Sequence, residues 1–72
     1  MNTMQLIEFD GPIPEYNEAQ MRRLMQKDRF LIFVFLDMTS NGHSESDALQ
    51  VLFNSNVLGD SLYTAEYEAC AE

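Results

Sequence analysis

The residues of this chain that could support acid–base or nucleophilic chemistry gather around His43, which Ser44 and Glu45 follow directly. A catalytic nucleophile needs a base within hydrogen-bond reach and a third group that orients the base. Adjacency along the chain does not provide that geometry. Together with Asp47, His43 and Glu45 also lack the spacing of a dedicated metal-binding motif. We therefore expect His43 to be a solvated loop residue and predict neither a catalytic nor a metal site.

A second candidate is the tetrapeptide Gly59-Asp60-Ser61-Leu62. It resembles the motif of one class of serine hydrolases, but those enzymes also carry an Asp and a His downstream of the serine, and His43 lies upstream. The stretch 58–68 is similar to the segment of acyl carrier proteins whose serine accepts a phosphopantetheine arm. In that family two further helices follow the serine. We expect a turn at Gly59-Asp60 before the last element, with no cofactor and no enzymatic activity.

Charge is the most informative property of the chain. Twelve carboxylates oppose four basic side chains, which gives a formal net charge of -8 over 72 residues. All four basic residues lie between Arg22 and Arg29. A field of this sign repels nucleic acid and anionic membranes, and it accelerates encounter with a positively charged surface. We predict a basic protein partner, with no direct binding to nucleic acid or to membranes.

The acidic residues predicted to contact this partner are Glu8, Asp10, Glu15, Glu18, Glu45, Asp47, Glu66 and Glu68. On a strand, alternate residues such as Glu66 and Glu68 project from one face about 6.6 Å apart, a spacing that resembles successive phosphates on a DNA strand. Rows of this kind could imitate a nucleic-acid backbone. The alternative is a solvated surface that keeps a small protein soluble. The basic cluster at 22–29 is expected to pair with carboxylates of the same protein or of a second subunit.

Size and composition predict one small domain over residues 1–72. Hydrophobic residues make up 46% of the chain, which is too many for a disordered tail, and Cys70 has no second cysteine for a disulfide. No signal peptide is evident, and the longest apolar run, 30–36, is far shorter than the roughly 20 residues that span a bilayer. We therefore expect a cytoplasmic protein. A chain this short gains core by self-association, so a homodimer is predicted.

The order of elements predicts an α+β domain with a three-stranded sheet and two helices on one of its faces, in the order β-α-β-α-β. The predicted strands are 4–9, 30–36 and 61–72, and the predicted helices are 15–27 and 45–55, with Ser44 as the N-cap of the second helix. The last segment also fits a helix, because Leu62, Ala65 and Ala69 share one helical stripe. The run Phe30–Leu36 shows no alternation, so both of its faces should be covered by protein.

No sequence motif identifies the function, so the prediction follows from charge and size. We predict a small acidic, non-enzymatic binding protein that inhibits a basic nucleic-acid-handling protein by electrostatic and steric occlusion. In character it resembles phage-encoded anti-defence proteins, such as anti-CRISPR and anti-restriction inhibitors, which would place it in the cytoplasm of a host cell. Two alternatives remain open: an antitoxin-like neutraliser of a small basic toxin, and a homo-oligomeric structural or assembly protein.

Overall fold

Four α-helices follow one another along residues 13–71, the part of the chain that this computed structural model describes. They are α1 (Glu18–Gln26), α2 (Arg29–Ser40), α3 (Glu45–Leu52) and α4 (Ser61–Ala69), and a π-helical turn (Phe53–Val57) continues α3. No strand forms within residues 13–71, so the prediction of a three-stranded α+β sheet is wrong. The first predicted strand, 4–9, lies outside the described residues.

Each helix begins at a side chain that accepts a hydrogen bond from the backbone of the first turn. Asn17 accepts from the N–H of Gln20, and Asp28 accepts from the N–H of Leu31. Ser44 accepts from the N–H of Asp47, and Asp60 accepts from the N–H groups of both Leu62 and Tyr63. A side-chain cap of this kind stabilises a helix by about 1 kcal/mol. The four caps within residues 13–71 help to explain why short helices with apolar, β-branched content are stable here.

The segment 30–36 is helical, and its prediction as a strand is wrong for an identifiable reason. A continuous apolar run does not distinguish a buried strand from a buried helix. Two features outside the run decide the outcome. Asp28 caps the first turn of α2, and Met38 extends the helical spacing of the buried residues Leu31 and Phe35 to a third turn.

The last segment is also helical rather than extended, which makes the strand predicted at 61–72 wrong and its helical alternative right. Gly59 adopts a positive φ of 101° and turns the chain after the π-helical turn. Asp60 then accepts hydrogen bonds from two backbone N–H groups at 2.9 and 3.2 Å. The turn expected at Gly59-Asp60 is therefore present, and it starts a helix because Asp is among the best N-cap residues.

The helices predicted at 15–27 and 45–55 are both present, with different boundaries. α1 begins three residues later than predicted because Asn17 is its N-cap. α3 begins after Ser44 as predicted, and its helical path ends in the π-helical turn. One extra residue in that turn places Val57, rather than Asn56, in the core.

The core is one cluster contributed by all four helices and the π-helical turn: Met21, Leu24, Met25, Leu31, Phe35, Ala48, Leu49, Leu52, Phe53, Val57, Tyr67 and Cys70. Phe53 lies at its aromatic centre. Its ring packs edge-on against Tyr16 at 5.2 Å and against Tyr67 at 5.1 Å between ring centroids. Through these contacts the π-helical turn joins the segment before α1 to α4.

Tyr67 supplies the polar link that accompanies this packing. Its hydroxyl donates a hydrogen bond to the Glu15 carbonyl at 2.6 Å and accepts one from the Asn17 N–H at 2.8 Å. The side chain is 1% exposed. Both backbone partners precede α1, so one hydroxyl fixes how the chain enters its first helix.

We predict that Tyr67→Phe destabilises the protein by about 1–3 kcal/mol, because it leaves two partly buried backbone groups without their partner. Tyr16→Phe is the matched control. The Tyr16 hydroxyl is buried and has no hydrogen-bond partner among residues 13–71, so its removal should change stability little. Urea unfolding followed by circular dichroism measures both effects. Equal losses in the two variants would contradict the role given to the Tyr67 hydroxyl.

Candidate functional site

Acidic side chains meet where α1 and α3 begin. Glu18 lies 3.6 Å from Arg22, and the other terminal nitrogen of Arg22 donates to Glu45 at 3.0 Å. Ser46 also donates to the Glu18 carboxylate at 2.9 Å. Exposed pairs of this kind contribute little stability, about 0–1 kcal/mol. These ion pairs matter because they hold two predicted contact residues near each other. Glu18 and Glu45 are 27 positions apart in sequence, and both contact Arg22.

A cleft of about 280 Å³ joins two other predicted contact residues, Glu15 and Glu68. The remaining lining residues are Pro14, Tyr16, Asn17, Gln20 and Tyr67. Both carboxylate-bearing residues are exposed, and no lysine or arginine belongs to the lining. The lining of the cleft therefore contains two acidic residues and no basic one, and the cleft is open to solvent.

Hydrogen bonds hold the walls of this cleft in place. The side-chain nitrogen Nε2 of Gln20 donates to the Tyr67 carbonyl at 2.8 Å, and the Tyr67 hydroxyl donates to the Glu15 carbonyl. The first bond ties α1 to α4, while the second holds the segment before α1. Glu15 and Glu68 are thus carried by two parts of the chain that are fixed against each other.

The tyrosines beside the cleft remain neutral phenols over the physiological pH range. Burial is the main cause that raises the pKa of Tyr67, and the charge of Glu15 adds to it, whereas the hydrogen bond from Asn17 lowers it. Burial also raises the pKa of Tyr16, with a contribution from Glu18. Neither phenol is arranged to ionise and act as a base, so the negative charge of the cleft comes from its carboxylates.

The other predicted contact residues are dispersed. Asp47 is exposed in the first turn of α3, and Glu66 is exposed on α4. Residues two apart on a helix point about 200° away from each other, so Glu66 and Glu68 cannot form the row expected on a strand. The phosphate-like spacing proposed for them is therefore wrong. Glu8 and Asp10 lie outside the described residues.

The basic residues divide into two pairs. Arg22 pairs with Glu18 and Glu45 in the same chain, as expected for the basic cluster. Arg23 donates to the Cys70 carbonyl at 2.7 Å, where α4 ends. Lys27 and Arg29 are exposed at the junction of α1 and α2. The acidic groups of α1 and α3 thus lie at the opposite end of α1 from this exposed basic pair.

His43 and Ser44 lie directly before α3. Ser44 accepts the Asp47 N–H at 3.0 Å as the cap of α3, and His43 is exposed in the preceding loop. Within residues 13–71 no group of three or more His, Cys, Asp or Glu side chains is arranged to hold a metal ion. Ser61 is exposed as the first residue of α4, and no further helix follows α4 within residues 13–71.

A contact that the sequence did not reveal links α4 to the start of α2. The Tyr63 hydroxyl donates to the Asp28 carboxylate at 2.8 Å, while the other oxygen of Asp28 caps α2. Burial is the main cause that raises the pKa of Tyr63 to about 12, followed by the hydrogen bond to Asp28 and the charges of Asp28, Glu66 and Asp60. The only sequence signal was an Asp two positions before an apolar run.

No protein-family model, curated protein or solved structure matches this chain significantly. None of the helices formed by residues 13–71 combines the length and the apolar content that crossing a bilayer requires. The site must therefore be interpreted from its own geometry and charge.

We predict that Tyr63→Phe lowers stability by about 1 kcal/mol near neutral pH, since it removes the hydrogen bond to Asp28. The pKa of the phenol rises from 10.0 to about 12 on folding. A raised pKa stabilises the fold fully below about pH 10, and this contribution is lost as the pH rises through about 12. Urea unfolding at about pH 8 and about pH 11.5 should show the difference between wild type and variant shrinking. A difference independent of pH would contradict the assignment.

Proposed function

We propose that this chain is a small acidic binding protein that inhibits a basic, nucleic-acid-handling protein in the cytoplasm by occupying a groove lined with lysine and arginine. The observation that carries the proposal is the anionic cleft between Glu15 and Glu68. It offers two carboxylates, neutral hydrogen-bonding groups and no cation among its lining residues. A lysine or arginine side chain of the partner enters this cleft.

The geometry of the cleft suits recognition rather than chemistry. A guanidinium or ammonium group that enters it meets carboxylates from two separate parts of the chain, and charge-assisted hydrogen bonds of this type are about twice as strong as neutral ones. The supporting tyrosines stay protonated because burial raises the pKa of both Tyr16 and Tyr67. No nucleophile and base are paired beside the cleft in the described residues, so the proposed role is non-enzymatic.

The wider surface supports the same partner chemistry. A net charge of -8 produces a field that steers a basic surface toward the molecule before any contact forms. Glu18, Glu45 and Asp47 lie beyond the cleft, around the starts of α1 and α3, and extend the acidic surface. The same field repels nucleic acid, so occlusion of a basic groove on a protein fits the charge better than direct binding to DNA or RNA.

Charge removal in the cleft tests this proposal against a control with equal net charge. The cleft variant is Glu15→Gln with Glu68→Gln, and the control is Asp47→Asn with Glu66→Gln. We expect the cleft variant to lose at least about tenfold in affinity, equivalent to the loss of one charge-assisted contact, and the control to lose no more than about threefold.

The first probe is a labelled deca-arginine peptide, titrated by fluorescence anisotropy at low and high salt. Proteins captured from a bacterial lysate by immobilised wild type are then identified, purified and titrated in the same way. Binding should weaken with salt, because exposed charges are screened beyond about 10 Å at 0.1 M salt. Affinity that resists salt, or that falls equally in both variants, would rule out recognition through the cleft.

An antitoxin-like neutraliser of a small basic toxin is the second candidate. The specific observation that favours it is an exposed apolar face on α2, which could bind a toxin. It differs from the inhibitor in using that apolar face, rather than the acidic cleft, as its main contact. A stable homodimer formed through α2 would argue against it and would leave the homo-oligomeric alternative in place.

A further inference from the structure

The dipeptide Asn41-Gly42, which ends α2, has a chemical reactivity that the binding role does not use. The backbone nitrogen that follows an asparagine can attack the side-chain amide carbon, and this is one reason why asparagine is a thermolabile residue. A Cβ on the following residue hinders the attack, and glycine has none. Of the five asparagines in the chain, Asn41 alone is followed by glycine. Both residues of the dipeptide are exposed.

The reaction open to this dipeptide needs only water. The Gly42 nitrogen loses its proton to solvent and forms a bond to Cγ of Asn41. The bond from Cγ to Nδ2 then breaks, and the nitrogen leaves as ammonia after it takes up a proton. Water opens the resulting cyclic imide, either at Cγ to give aspartate or at the backbone carbonyl to give isoaspartate. The net change is hydrolysis of one amide to a carboxylic acid and ammonia, with nothing oxidised or reduced.

In the folded protein both reacting groups are held in hydrogen bonds. Nδ2 of Asn41 donates to the Asp37 carbonyl at 2.8 Å, and the Gly42 N–H donates to the Thr39 carbonyl at 3.2 Å. The proton that the Gly42 nitrogen must lose is therefore the one that the Thr39 carbonyl accepts. The attack cannot begin until the last turn of α2 opens.

This last turn is held by few interactions and opens without unfolding of the core. Ser40, Asn41 and Gly42 are all exposed. Gly42 adopts a positive φ of 102°, and the His43 N–H donates to the Met38 carbonyl at 3.1 Å, which completes a Schellman motif. Helix ends of this kind open at far lower free energies than buried helices. The folded chain therefore reaches the reactive conformation by local opening.

Conversion of Asn41 removes an interaction that holds the same turn. An ionised carboxylate has no proton to donate to the Asp37 carbonyl. The new negative charge also lies at the C-terminus of a helix, where the helix dipole disfavours it, and four positions after the exposed carboxylate of Asp37. Isoaspartate in addition lengthens the main chain within the turn. The modified turn is therefore less stable than the original one.

We propose that Asn41 is a site of spontaneous deamidation, and that the last turn of α2 both controls the rate of this reaction and is opened by it. Conversion adds one negative charge to a chain whose formal net charge is -8. Because ammonia is lost, the change runs in one direction. The site lies outside the cleft at Glu15 and Glu68, so it does not depend on the binding role proposed above.

Two variants at Ser40 test whether the turn controls the rate. Both Ser40→Gly and Ser40→Ala remove a hydroxyl that donates to the Asp37 carbonyl, so this loss cancels between them. They differ in helix propensity, and the folded glycine variant should convert about three to five times faster than the folded alanine variant. In urea that unfolds the chain, both variants and the wild type should convert at one common, faster rate. Peptide mapping by mass spectrometry at mildly alkaline pH measures these rates and separates aspartate from isoaspartate.

Asn41→Asp reproduces one product and tests the effect on the turn. Amide hydrogen exchange at Gly42 and His43 should accelerate about fivefold to tenfold, because one hydrogen bond is lost. Asn54→Asp is the matched control, since it adds the same charge at an exposed side chain whose oxygen accepts a hydrogen bond, and it should leave exchange in this turn unchanged.

Four results would overturn the proposal. The first is an Asn41 that stays intact in the folded protein for as long as the unfolded chain takes to convert completely. The second is conversion of Asn54 at least as fast as that of Asn41. The third is a folded rate that equals the unfolded rate or is the same in both Ser40 variants. The fourth is exchange in the turn that Asn41→Asp leaves unchanged.

Discussion

The hydroxyl of Tyr67 joins the last helix to the segment that precedes the first one, and the candidate site depends on this link. It holds Glu15 and Asn17 through their backbone groups. The ring below it packs against Phe53, which in turn packs against Tyr16. A core this small cannot fix an extended segment by burial alone, so a buried hydroxyl with two partners does so. Glu15 and Glu68 are brought to one cleft as a result.

The acidic residues of the described chain fall into two groups, those that stabilise the start of a helix and those that do not. Asp28 and Asp60 cap helices, and Glu18, Glu45 and Asp47 lie in first turns, where the helix dipole favours negative charge. The exposed carboxylates of Glu15, Asp37, Glu66 and Glu68 have no such local role. Local helix energetics therefore explains only part of the charge, and the remainder is available for contact with a partner or a second copy.

Sequence patterns predicted α1 and α3 and failed for α2 and α4, which were assigned to strands. The stripes of α1 and α3, and the cap at Ser44, could be predicted because they are local. The run 30–36 was assigned to a strand because its residues are all apolar and show neither helical nor strand periodicity. The expectation that both of its faces should be covered by protein applies to a helix as well as to a strand. The cleft was unpredictable, since it depends on a hydrogen bond between positions 15 and 67.

The hydrogen bonds of the Tyr67 hydroxyl also determine what the docking of α4 does to the cleft. α1, α2 and α3 contact partners that are near in sequence, whereas the polar bonds of Tyr67 span 50 and 52 positions. Closing a loop of this length costs more conformational entropy than forming a local helical contact. Detachment of α4 breaks both bonds and withdraws Tyr67 from the core. When α4 detaches, Glu68 moves away from Glu15. The cleft therefore exists only while α4 is docked.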